Sequence, residues 1–365
     1  MGCGASKVSN YDQENHKSKS PQKTKSQLKP GKLLSLDDFD ESEIVKSHEN
    51  TYNILINRIK AIRCPNRISP PLVMTKASTP IFVSIIDNIS DTTDINVRLP
   101  IVSAVSFKLA RILCFGSYEF LTIGNFKGED TSLFFRNCFD WLFSNVQQKT
   151  SILFIGFPEK LNSDLKRCVE SQSHNAEFGD SNSDFNYFCC LAITTDSNIF
   201  INREKDLSNF VASGGGLILF YKDNFIHANS FLDRFGINFE KEIEINNNYS
   251  GVPKNTNLVK YSVFHRLCTE YKYHLGKDEF DRSKIQELAL TLNFYVSACS
   301  KPSQFQELAV LLPISSKFQE RIDYKQNGLE KSVAILIKSI RDHIPSEMVH
   351  DVPSDILQAI ENEIN

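Results

Sequence analysis

Three short, continuously apolar runs separated by amphipathic segments constrain this chain more than any other feature. SILFIGF at 151–157, YFCCLAI at 187–193 and LILFY at 217–221 each read as a buried strand. Between the first two, a helical pattern at 160–171 puts Leu161, Leu165 and Cys168 in step, and a loop of Asn, Ser and Asp follows. Between the second and third, a helix at 203–212 turns Leu207, Phe210 and Val211 inward and ends at Gly214. Strands apolar on both faces must be covered on both faces, and the β-α-β-α-β alternation supplies the cover: a parallel sheet sandwiched by helices, its crossovers right-handed.

Upstream, 81–86 reads as a strand, and 105–115 as another with Val105, Phe107, Leu109, Leu113 and Phe115 at period two, stopped by Gly116. A helix at 131–144 gathers Phe134, Cys138, Trp141 and Leu142 on one face. An earlier helix runs to about Arg63 through Ile44, Ile54, Leu55, Ile59 and Ile62, ended by Pro65, Pro70 and Pro71. The C-terminal third carries helical stripes at Ile285, Leu288, Ala289, Leu292 and Val296, at Leu329, Val333, Leu336, Ile337 and Ile340, and at Ile356, Leu357, Ile360 and Ile364. The chain thus divides into a tail at 1–35, a helix and linker at 36–77, an α/β domain at 78–245 and a helical region at 246–365 packed on it.

The N-terminus, MGCGASKV, fits the M-G-x-x-x-[ST] pattern for myristoylation of Gly2, with Cys3 beside it for palmitoylation. A single myristoyl chain binds membranes with a constant of only about 10⁴ M⁻¹, so a second chain on Cys3 is what makes the attachment stable. Residues 1–35 carry Lys7, Lys17, Lys19, Lys23, Lys25, Lys29 and Lys32 against Asp12 and Glu14, seven minus two, or +5; with a net charge of −3 the remainder carries −8. Each tail Lys adds roughly 1 kcal/mol near an anionic leaflet. The low apolar content at 8–32 predicts a disordered leader. No run reaches the ~18–20 apolar residues of a membrane span, and the N-terminus lacks a secretory h-region. The nine scattered cysteines show no C-x-x-C, as expected of reduced cytosolic thiols. The expected location is the cytoplasmic face of a membrane, the plasma membrane first.

Several pieces resemble the TRP channel-associated factor family, in its N-terminal glutamine-amidotransferase-like part: RILCFGSYEFL (111–121), FRNCFDWL (135–142), SILFIGF (151–157), LSNFVASGGGLIL (207–219) and NSFLDRFGINF (229–239), in matching order, with 327–348 belonging to the same region. The resemblance implies a class I glutamine-amidotransferase-like α/β domain over 78–245, without the peptidase-like region into which longer members continue. It also implies regulation of an integral membrane protein such as a channel.

Catalytic signals are weak. A glutamine amidotransferase needs Cys in a G-x-C-x-G elbow, yet the strand at 217–221 runs into YKDNFIH. Cys114, Cys189 and Cys190 read as buried strand residues. Gly214, Gly215 and Gly216 follow a helix and precede a strand, the reverse of a phosphate loop, and so read as a helix C-cap. There is no H-E-x-x-H and no ligand-spaced histidine pair; His227, His265 and His274 read as surface or core residues, and neither metal nor cofactor is expected. Aromatic residues are not interleaved with a basic patch, so nucleic acid is not an expected partner. The first reading is a lipid-anchored binding or adaptor protein. A hydrolase- or amidotransferase-like enzyme and a small-ligand sensor remain alternatives. Both would use the carboxyl ends of the strands: Gly156-Phe157-Pro158, Thr194-Thr195-Asp196 and Tyr221-Lys222-Asp223, with Asp196 and Asp223 as candidate cleft residues.

Overall fold

The three apolar runs become neighbours in a seven-stranded sheet. Its strands are β1 (Ser78–Ile86), β2 (Val97–Phe107), β3 (Ala110–Phe115), β4 (Ser151–Ile155), β5 (Asn175–Gly179), β6 (Cys190–Thr194) and β7 (Gly216–Phe220), in the spatial order β1-β2-β3-β7-β6-β4-β5. The computed structural model describes residues 41–86, 97–107, 109–128, 130–144, 151–245, 249–251, 263–277, 279–322 and 327–346. Gly2, Cys3, the seven tail lysines and the helical stripe expected at 356–364 lie outside these residues.

From β3 through β5 every pairing is parallel, whereas β1, β2 and β3 run antiparallel, so the sheet is mixed rather than wholly parallel. The single strand expected at 105–115 is two strands. Alternation survives the reversal at 107–110, which hides the turn from a periodicity argument. Leu109, counted inward, lies 47% exposed at that turn. The loop expected between 171 and 187 contains β5. As the outermost strand it needs no alternating apolar face, and only Ala176 of its residues is partly covered.

The first helix, α1 (Glu41–Leu55), stops eight residues before Arg63. Arg58 adopts φ +61, which no helix accommodates, and Ala61–Arg63 forms a strand against Tyr249–Gly251. Arg67–Ile68 pairs with Ile243–Glu244 and Pro71–Val73 with Ile237–Phe239, all antiparallel, so the expected linker is stitched to the segment that leaves the α/β part.

Alternate residues of the sheet feed two layers. Leu113, Phe115, Ile152, Phe154, Cys190, Ala192, Ile218 and Phe220 pack with α1, α2 (Thr131–Phe143) and α3 (Asn162–Glu170). Here Phe115, Phe135 and Phe220 form one cluster of stacked rings, with the Phe115 centroid 5.1 and 4.9 Å from the other two. Such pairs contribute about 0.5–1.5 kcal/mol each beyond area burial. Ile112, Cys114, Leu153, Ile155, Leu191, Ile193, Leu217 and Leu219 face the other way, onto α4 (Glu204–Ala212) and α5 (Ile226–Leu232). A third core joins α6 (Phe264–Leu275), α7 (Arg282–Val296), α8 (Pro302–Arg321) and α9 (Asn327–His343) to Leu72, Met74, Val97 and Leu99. The stripes read on α7 and α9 are its centre. β2 therefore contributes to all three cores: Val97 and Leu99 to the helices, Ile101, Val102 and Ala104 to one sheet face, Val105 to the other. At the junction Arg98, 5% exposed, pairs with Glu287 of α7.

Candidate functional site

Strand order reverses between β4 and β6. The chain leaves β4 outward to β5, then returns past it to β6 and β7, which opens a crevice beyond their carboxyl ends where α/β sheets place ligands. Gly156 follows β4 with φ +87, and a Cβ built there would lie inside 3.0 Å of Thr194 Oγ1. This is the one position at the edge where glycine is required twice over, by conformation and by space. Thr194, fully buried at the end of β6, donates to Asp196 Oδ1 at 2.6 Å. Lys222 Nζ reaches across from the end of β7 to Asp196 Oδ2 at 2.8 Å and to the Gly156 carbonyl at 3.1 Å. One lysine thus ties the ends of β4, β6 and β7 together. The Thr195 hydroxyl donates to the Lys222 carbonyl at 3.1 Å and accepts from the Lys222 amide at 3.0 Å, which fixes that residue's backbone.

The second expected carboxylate, Asp223, is exposed and stands in the left-handed region at φ +50, where the strand turns towards α5; the Tyr221 hydroxyl donates to its backbone carbonyl at 3.3 Å. A strained strand-to-helix turn is the form a nucleophile elbow takes, and here it carries a carboxylate. The Tyr118 phenol is raised above its ordinary range by burial, then by Glu119 and Asp223, with Lys222 opposing. At neutral pH it stays protonated.

Aromatic rings pack beside this bridge at the ends of β4 and β7. Phe157 meets Phe154 at 5.3 Å and Phe220 at 5.5 Å, both edge-on. The side chains that surround Asp196 are accordingly Thr194 and Lys222, with no thiol or imidazole among its hydrogen-bond partners. Cys114 and Cys190 are buried within strands, and burial pushes both thiols far above their usual range; Cys189 is half-buried and also raised. Gly214, at φ +95, follows the α4 cap residue Ser213, and β7 begins at Gly216, which is the helix-ending role read from sequence. His265 pairs with Glu307 on α8 at 2.6 Å, and His227 is exposed. Among the described residues no cluster of three His, Cys, Asp or Glu side chains is arranged to hold a metal ion, and no helix is long and apolar enough to cross a membrane.

The strand ends were legible from the alternation of elements. The partnership of Asp196 with Lys222 was not, because it depends on which strands are neighbours. The glycine after an apolar strand was the available signal for the close approach at Gly156.

No family model matches the sequence, and no curated protein matches it. Among solved structures, the chain is similar to the IMPa metallopeptidase from Pseudomonas aeruginosa, at 9% identity and a TM-score of 0.45. The same enzyme in complex with T-antigen gives 9% and 0.45, and in complex with an O-glycopeptide 10% and 0.43. Each match covers 82% of this chain and 38% of the other, so the chain spans well under half of the enzyme's length. At this level the likeness assigns no activity.

Proposed function

We propose that this chain is a non-catalytic binding protein, held at the cytoplasmic face of the plasma membrane by acyl groups on Gly2 and Cys3 and by its Lys-rich tail. In this reading the α/β body is glutamine-amidotransferase-like, belongs with the TRP channel-associated factors, and regulates an integral membrane protein such as a channel. One observation carries the non-catalytic role: the strained turn after β7 holds Asp223 rather than a thiol or hydroxyl, and the amine of the neighbouring Lys222 is engaged by Asp196 and the Gly156 carbonyl. A carboxylate held by a lysine and a threonine, beside packed phenylalanines, organises loops rather than activating water or substrate. The membrane role rests on the MGCGAS terminus and the +5 tail. Confinement to a surface raises the effective concentration of a weakly binding body towards partners in the same membrane.

The test is fractionation of cells expressing the full chain with a myristate analogue. Wild type incorporates the label and sediments with membranes. Gly2→Ala loses both, and Cys3→Ser keeps the label but exchanges rapidly from vesicles, as one chain alone holds weakly. Gly2→Ala protein that stays fully with the membrane fraction refutes the anchoring.

A further inference from the structure

One strand beyond the Asp196–Lys222 bridge, the carboxyl ends of β4 and β5 frame an open groove of about 510 Å³. Its floor is aromatic: Phe154, Phe157 and Phe178, with the Phe178 ring 5.7 Å from that of Phe154. Phe178 is 38% exposed although it sits in a strand, so one side of its ring is offered to solvent. Around this floor stand Glu159, Asn162 and Asp180. Neither the Glu159 carboxylate nor the Asn162 amide makes a side-chain hydrogen bond or ion pair among the described residues. Asp180 accepts the Asn182 amide on Oδ1 at 2.8 Å, which leaves Oδ2 for a ligand. No lysine or arginine side chain is among the lining residues, although Lys222 holds the Gly156 carbonyl and Arg203 the Ser183 carbonyl at its margins; Glu177 and Asp184 flank it in sequence without a basic residue between 175 and 188.

We infer that this groove is a recognition site for an arginine side chain of a basic peptide segment, the guanidinium lying on the Phe178 ring between the Glu159 and Asp180 carboxylates. A cation suits the ring face and both carboxylates. The ring face attracts it, the carboxylates accept its N–H groups, and the Asn162 carbonyl takes another. Arginine fits better than lysine because its planar head stacks and donates at once. Phosphate and carboxylate ligands are repelled by the same groups. For the partner's identity the inference rests on the binding role proposed above: cytosolic flanks of integral membrane proteins carry an excess of Lys and Arg, and this body is net acidic.

The experiment uses the full chain carrying Gly2→Ala, soluble and unacylated, so its outcome is independent of whether the membrane anchoring holds. The probe is a fluorescein-labelled hexapeptide containing two arginines among glycine and serine, read by anisotropy at low salt, with the citrulline version as the neutral control of equal size. The arginine peptide should bind at least tenfold more tightly than the citrulline one. Glu159→Gln with Asp180→Asn should weaken it about tenfold, since each exposed pair contributes up to about fivefold. Phe178→Ala should weaken it about three- to fivefold. Equal binding of the two peptides overturns the inference, as does unchanged affinity in the double variant when its melting matches the parent. Peptide binding that emerges only after the seven tail lysines are changed to glutamine would put the chain's own tail in the groove, and would overturn the assignment to a partner.

Discussion

Gly156→Ala tests the geometry of the sheet's carboxyl edge most directly. Alanine at φ +87 costs about 1–2 kcal/mol from the backbone alone. Its Cβ would also fall inside 3.0 Å of Thr194 Oγ1, while Thr194 Cβ stands at a comfortable 3.4 Å. The hydroxyl must therefore rotate away, giving up its bond to the Asp196 carboxylate, a charge-assisted contact of about 1.5–3 kcal/mol. The sum is about 2.5–5 kcal/mol. In a Thr194→Ala background the obstructing oxygen is gone, so the same substitution should cost only the backbone part. Urea unfolding followed by far-UV circular dichroism measures both. At a slope of roughly 3 kcal/mol/M the midpoint falls by about 1 M in the wild-type background and by less than half of that in the other. The double-mutant cycle then yields a coupling of about 1.5–3 kcal/mol. Equal costs in the two backgrounds would refute the close approach of Gly156 to Thr194, and with it the reading of this edge as a packed, tied corner.

Asp196→Asn should destabilise by about 1–2.5 kcal/mol in the same assay, since it removes the half-buried bridge to Lys222, at 24% and 22% side-chain exposure, and the charge on the acceptor of Thr194. Glu287→Ala should cost more, about 3–5 kcal/mol, since it leaves Arg98 charged and buried, whereas Arg98→Met combined with Glu287→Leu should come close to wild type. Native protein treated with a thiol reagent at pH 8 should leave Cys64, Cys114, Cys138, Cys168, Cys190, Cys268 and Cys299 unmodified until denaturant is added, as all seven are buried and burial raises each thiol. Burial lowers His48, His174 and His274 below the ordinary 6.5, so the unfolded chain binds more protons below that pH. Their contribution is present above 6.5 and lost as pH falls through the lowered folded values, and His48→Gln should flatten the decline in urea midpoint between pH 7 and 5.

The inner strands were readable because a strand covered on both faces has to be apolar throughout, and 151–157 and 217–221 satisfy that with almost no exceptions. The edge strand at 175–179 was not, because Glu177 and Asn175 face water and leave no alternation to detect. The first helix is shorter than its apolar stripe implies: Ile59 and Ile62 are buried, as the helical stripe requires, but they reach the core from a turn and a strand. Periodicity reports which residues go inward and says less about the backbone that takes them there. At the site, Asp196 and Lys222 each sit at a strand end that the alternation of elements marks. Their meeting follows from β6 and β7 being adjacent, a fact of strand order that no local pattern encodes.

Because β2 donates side chains to the helical core at one end and to both sheet faces at the other, a pull applied to the helices is delivered straight into the sheet's hydrogen-bonded ladder. Cutting the molecule near 245 would not free two autonomous pieces. It would strip the lid from Leu72, Met74, Val97 and Leu99 and leave a sticky apolar end on the α/β fragment. Any pull on the C-terminal helices is therefore felt along the length of one strand.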